Sequence, residues 1–227
     1  VEFHATILDI PGYEDIFKRK LIENNGIEFP SVGYSMTSAN IAAGTTANVN
    51  CVLPFHSLKS ILFCNRISTN DGFGSAANTY LGSYLNYYVN QGTTSYRWKI
   101  GARNYPDSNP VYVSVANNAR AFVELQRCFG TPSNINDGGI VSGSLTDYLG
   151  YYTTSGTILS RFAIGVDLET YNEDSSILRS GLDTTKGQSM QLQLTGSGFS
   201  ANTVCNFYGV YDVVFYLSPT GELKAIY

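Results

Sequence analysis

The chain is short of charge. Asp, Glu, Lys and Arg make up 14% of its 227 residues, against roughly 25% in an ordinary soluble domain. Its one consecutive run of Lys and Arg, Lys18-Arg19-Lys20, is three residues long, so direct nucleic-acid binding, sequence-specific or not, lacks its electrostatic footprint. The net charge is −4, with eight acids and eight bases in residues 1–115 and ten acids and six bases in 116–227. Histidine is nearly missing: His4 and His56 are the whole supply, far apart and with no HxxxH spacing. A histidine metal site therefore has no basis. A triad would need a nucleophile and a carboxylate beside His56. No GxSxG elbow is present, so a polar strand-end residue is the plainer reading. The four cysteines, Cys51, Cys64, Cys128 and Cys205, show no CxxC spacing. They sit among apolar neighbours, as in "NVNCVL" and "ILFCNR", and read as buried, reduced thiols. No Asn-x-Ser/Thr sequon occurs, which disfavours a secreted glycoprotein. No signal peptide and no apolar run of 18 residues occur, so membrane insertion is not expected. The opening Val1 in place of Met fits a piece of a longer polypeptide.

What fills the space is Gly (22), Tyr (17) and many Asn, Ser and Thr, with 43% apolar residues. That profile suits an all-β domain with long polar loops and a substantial core. Residues 4–10 read as a short strand, and 12–24 as an amphipathic helix with Tyr13, Ile16, Phe17 and Leu21 on one face. Pro11 suits its start and Gly26 its stop. Residues 27–38 are extended, with a proline that fits an edge strand or a bulge. Alternation predicts strands at 46–55, 95–106 and 189–197; continuous apolar runs predict strands at 58–67, 111–115, 158–170 and 203–217. The segment "ELKAIY" closes the chain after an "SPTG" turn. A second helix is expected over 117–130, with Asn at its cap position, Phe122, Leu125 and Phe129 sharing a face, and Gly130 ending it. Long loops span 68–93 and 131–157. The expected fold is an eight-stranded jelly-roll sandwich with two short helices in connections. Its core comprises Val49, Cys51, Leu53, Ile61, Phe63, Trp98, Ile100, Phe162, Ile164, Met190, Leu192, Leu194, Val213 and Phe215, with the helix residues Phe122, Leu125 and Phe129 capping an open end of the barrel. Residues 1–26 hold a short strand and a helix, and 27–227 are expected to form one jelly-roll domain.

Chemistry is hard to find. "NINDGG" (134–139) and "YNEDSS" (171–176) gather oxygen ligands but fit no EF-hand, and read as turns. Asp167 and Glu169, two apart in "GVDLET", form a conceivable glycosidase pair; exposed strand surface is the plainer reading. "TGSGFSAN" (195–202) lacks the Lys and helix of a phosphate loop and reads as a connection between strands. Tyrosines in "NYYVNQG" and "DYLGYYTT" could stack on sugars, which keeps a carbohydrate-binding jelly roll, a lectin or receptor-binding head, as the alternative. Tyrosine is equally at home in a subunit interface. No catalytic residue, cofactor or metal is expected.

Several stretches in order carry a resemblance. "VGYSM" opens the first β-run, followed by "FHSLKSILFCNR", "YRWKIGARNYPDSNPV" and the helix "ARAFVELQRCFG". "FAIGVDLETY", "SGLDTTKGQSMQLQL" and "FYGVYDVVFYLSPTGELKAI" follow. This series, from about residue 27 to the end, resembles the C-terminal jelly roll of double-jelly-roll major capsid proteins, as in virophages and Polinton-like viruses, relatives of the adenovirus hexon. The opening "ILDIPGYEDIFKRKLIENNG" resembles the linker and helix that join two such barrels. The resemblance implies a structural, non-enzymatic subunit of pseudo-hexagonal trimers in an icosahedral virion shell, assembled inside the host cell. Its implied partners are other copies of itself, neighbouring capsid proteins and an upstream jelly roll of the same polypeptide.

Overall fold

Three strands alternate so regularly that their cross-strand neighbours follow from the sequence pattern. In the computed structural model, which describes residues 12–67, 90, 92–107, 109–113, 119–128, 162–169, 180–186, 189–199 and 203–226, these are β2 (Gly44–Cys51), β4 (Thr93–Ile100) and β8 (Met190–Phe199). Register aligns their inward residues in three rows: Ala47–Leu194–Tyr96, Val49–Leu192–Trp98 and Cys51–Met190–Ile100. All nine are buried. Rows of this kind hold a sheet because side chains directly opposite pack on one face.

The facing sheet is built from β1 (Ile27–Asn40), β3 (Leu58–Ile67), β7 (Ala163–Asp167) and β9 (Thr203–Leu217) in the order β1-β9-β3-β7. The other sheet runs β2-β8-β4, with β5 (Arg103–Tyr105) and β6 (Val111–Tyr112) both pairing β4. Every pairing is antiparallel. The chain changes sheet at six of the nine connections between consecutive described strands, which is the winding of a jelly roll. Phe207 of the first sheet packs in the centre against Trp98 of the second, with ring centroids 6.0 Å apart at 70°, and against Phe63 at 5.2 Å. Edge and tilted contacts of this sort add to the gain from burial.

The expected eight strands become ten among the described residues. The predicted strand at 95–106 is a hairpin: Ile100 pairs Arg103 across a two-residue turn, where Gly101 takes φ 58°, a conformation costly for any residue with a Cβ. That turn creates β5. The tail after "SPTG" folds back as β10 (Leu223–Ile226) on β9. Without these two additions, four strands remain in each sheet. "TGSGFSAN" also differs from expectation, since β8 continues to Phe199. Gly196 pairs Thr93, Phe199 pairs Gly44, and the Ser197 amide donates to the Gly92 carbonyl at 2.9 Å. Phe215 is only partly covered, unlike the other expected core residues of the sandwich. Its stretch of β9 lies between β1 and β10 at the end of the first sheet. Pro30 sits on the edge strand β1 as expected.

Helix α1 (Tyr13–Glu23) ends where Asn25 (φ 53°) and Gly26 (φ 127°) turn the chain into β1. A Cβ on Gly26 would run into the Tyr216 ring, whose hydroxyl donates to the Asn25 carbonyl. Helix α2 (Ala119–Arg127) packs on β7 and β6. It does not close an end of the barrel. Gly165 pairs Leu62 on the outward face of the first sheet, and a Cβ there would meet the Cys128 sulfur and stand 3.2 Å from the Leu125 Cα. Ser60, on the same face, donates to the Cys128 carbonyl. The glycine therefore provides the groove in which the helix lies. Gly165→Val should cost about 1–3 kcal/mol by overpacking, read as a fall in melting temperature; an unchanged melting temperature would mean that α2 is not seated there. The strand expected at 4–10, the Asn cap, Phe129 and both long loops lie outside the described residues, apart from Asn90, Gly92 and Thr93 at the end of the first loop.

Candidate functional site

The residues that could do chemistry are tied into structure. His56 is exposed, with its Nδ1 3.8 Å from Asp183. The Thr185 hydroxyl and amide, at 2.6 and 3.0 Å, hold the Asp183 carboxyl below its usual range, helped by Lys186 and His56. Asp167 ends β7 and accepts the Glu169 amide at 3.0 Å. Glu169 Oε1 receives two donors, Lys59 Nζ and Ser180 Oγ, each at 2.8 Å. Lys59 also approaches Asp212 at 3.6 Å, and Asp212 accepts the Ser57 hydroxyl at 2.6 Å. Burial works against the charge on Lys59, but the Glu169 hydrogen bond and the charges of Glu169 and Asp212 outweigh it and hold its pKa above the ordinary lysine value. The two carboxylates are not the exposed strand surface expected: both are half-buried, and Glu169 belongs to a five-residue clasp, with Ser57, Lys59, Ser180 and Asp212.

The clasp fastens the segment 180–186 across the barrel. Leu58 and Leu182 exchange two backbone hydrogen bonds at 2.9 Å, and the Gly181 amide donates to Ser57 Oγ. Thr184 is buried and its hydroxyl donates to the Leu53 carbonyl at 2.5 Å, while its amide donates to the Phe55 carbonyl at 2.8 Å. Phe55 in turn stacks on Tyr211 with centroids 3.7 Å apart. These contacts satisfy buried polar groups and leave an architectural joint.

The thiols are equally structural. Burial pushes Cys51, Cys64 and Cys205 up to about 12 and Cys128 well above its ordinary value. All four are unbridged. Since the thiolate is the reactive form, a thiol reagent at neutral pH should leave the native protein unlabelled over the time in which it modifies all four cysteines of the unfolded chain. Rapid native labelling would contradict this burial. Among the described residues, no group of three or more His, Cys, Asp or Glu could hold a metal ion, and no helix is long and apolar enough to cross a membrane. "NINDGG", "YNEDSS", His4, and all of the tyrosine-rich "NYYVNQG" and "DYLGYYTT" except Asn90 and Gly92 lie outside the described residues.

The uncommitted feature is the outer surface. Along β1 the even positions face outward, and Tyr34 (78% exposed), Met36 (59%) and Val32 (41%) form an apolar line there. Ile22 of α1 and Leu223 of β10 are also open to solvent. A set of large apolar side chains aligned on one strand marks an interaction surface more than scattered ones do. A sequence signal for this surface exists and is easily missed: no Asp, Glu, Lys or Arg occurs between Glu28 and Lys59. One edge strand of each sheet, β1 from Phe29 on and β2, lies in that stretch.

Geometry and topology together define a jelly-roll sandwich, ten-stranded among the described residues, whose described polar clusters are architectural. No protein-family profile and no curated sequence matches the chain. Solved structures do. VP54 of PBCV-1, in a crystal structure fitted into a cryo-EM reconstruction of the virophage Sputnik, is 13% identical; the match covers 93% of this chain and 54% of that one, with a TM-score of 0.51. The PBCV-1 virus capsid gives 12% identity, 89% and 52% coverage and a TM-score of 0.51. The Sputnik virophage gives 12% identity, 88% and 39% coverage and a TM-score of 0.50. The chain therefore spans about half the length of the first two of these proteins, and it shares their fold.

Proposed function

We propose that the chain is one jelly roll of a viral major capsid protein. It is a non-enzymatic building block of trimeric, pseudo-hexagonal capsomers in an icosahedral shell, assembled inside the host cell. The observation that carries this reading is the uncharged, outward apolar line on β1 of a sandwich whose fold is that of capsid proteins. Such a surface is suited to burial against neighbouring barrels, where apolar contact contributes about 25 cal/mol per Å² before the costs of association. Many weak, symmetry-related contacts then close a shell. Coverage of about half of the similar proteins supports an upstream jelly roll in the same polypeptide, with residues 1–26 as the connecting strand and helix and 27–227 as the barrel. The partners are other copies and neighbouring capsid proteins, and no nucleic-acid contact is needed. Negative-stain electron microscopy of the purified assembly should show particles of hexagonal outline. Featureless monomers that bind strongly on a glycan array would overturn this reading in favour of the carbohydrate-binding one.

A further inference from the structure

The direction of the β1 backbone makes its free edge specific. The Ile41 amide, just past β1, donates to the Thr203 carbonyl of β9. In an antiparallel ladder successive residues alternate sides, so the odd residues of β1 bond β9 and the even ones aim their N–H and C=O groups away from it. The other side of β9 agrees: the Asp212 amide donates to the Ser57 carbonyl and the Ser218 amide to the Glu222 carbonyl, both even positions turned from β1. Pro30 fits the same pattern, since its missing N–H falls on the unpaired side. Val32, Tyr34 and Met36 thus offer both their outward backbone groups and their exposed side chains along one edge.

Natural edge strands are blunted by charge, shortness or a cover. This one is 14 residues long, and it carries no charge after Glu28. We propose that it pairs antiparallel with the β1 edge of a second copy, across a two-fold axis at Tyr34. Self-pairing in this register is complementary on every count. Tyr34 meets its own symmetry mate, and Val32 of each copy meets Met36 of the other, so aromatic faces aromatic and apolar faces apolar. The three pairs exchange ladder hydrogen bonds from groups that β9 leaves free. On the inward face Gly33, covered by the Tyr211 ring of its own chain, meets Ser35. No like charges oppose each other, and Pro30 ends the ladder. An isologous contact needs only one surface patch, so it joins two capsomers rather than the copies within a trimer.

The test uses Tyr34→Lys, Tyr34→Glu and their equimolar mixture, with masses from light scattering over a concentration series. Tyr34 is exposed, so each variant keeps its fold. The wild-type assembly should have at least twice the mass of either variant alone, with the dissociation constant raised about tenfold or more by like charges placed directly opposite. Mixing the two variants should restore the doubling, because the ammonium introduced in one copy then faces the carboxylate introduced in the other. Equal masses for wild type and single variants, or a mixture that stays at the single-variant mass, would overturn the contact. The trimer is read as a factor of three in the mass of the single variants, and this contact as the growth beyond that trimer in the wild type and the mixture, so either can fail alone.

Discussion

Replacing Leu192 with Asp should leave no folded protein. Leu192 has no solvent exposure and sits mid-row between Val49 and Trp98 in the central strand β8. Removing its side chain costs about 2–5 kcal/mol in a packed core. An ionised carboxylate at the same place adds an effective penalty of several kcal/mol, because no cation or cluster of donors lies in that row to replace water. Typical domain stability is only about 5–15 kcal/mol, so the two effects together consume it. The expected result is insoluble material, or soluble protein without a cooperative melt by circular dichroism. A Leu192→Asp protein that melts near the wild-type temperature would show that β8 faces the other way. A one-residue slip in the register of a strand reverses every side chain in it.

Trp98→Ala should be the most damaging simple truncation. Trp98 is fully buried, pairs Leu192 by register and meets the Phe207 ring edge-on from the opposite sheet. It is therefore the main contact point between the two halves of the sandwich. The loss expected for a large aromatic is about 3–5 kcal/mol, which for a chain of this size lowers the melting temperature by roughly 10 °C. Trp98→Phe should cost much less. Among the described residues the indole N–H finds no hydrogen-bond partner, so replacing it keeps aromatic contact while removing an unsatisfied buried donor. Equal losses for the two variants would mean that the N–H is bonded and contributes to stability.

The parts legible in the sequence are those where side-chain period equals strand period. Ala47, Val49 and Cys51 against Met190, Leu192 and Leu194 are readable because one face is buried and the other wet. The run Ile61–Phe63 and the cysteines among apolar neighbours are readable for the same reason. Less visible is whatever depends on backbone path. The hairpin at Gly101 interrupts a run whose alternation continues on both sides, so periodicity alone sees one strand. Continuation of β8 through Gly196 and Gly198 depends on partners supplied by β4 and β2, which no local propensity reports. The resting place of α2 depends on Gly165, a residue that reads as neutral in a strand. The clasp of Ser57, Lys59, Glu169, Ser180 and Asp212 joins positions up to 155 residues apart, and nothing local announces it. The acid pair at Asp167 and Glu169 is visible in the sequence, but its use is not, because Lys59 and Ser180 reach Glu169 only in the folded chain.

These variants test the barrel; the central claim concerns what the barrel builds. The most direct measurement is the mass of the native assembly by light scattering or native mass spectrometry, across a range of concentrations. The capsomer reading predicts assemblies in multiples of three polypeptides, up to shell-sized particles. A monomeric polypeptide at every concentration would contradict it, because the apolar line on β1 would then have no neighbour to bury it.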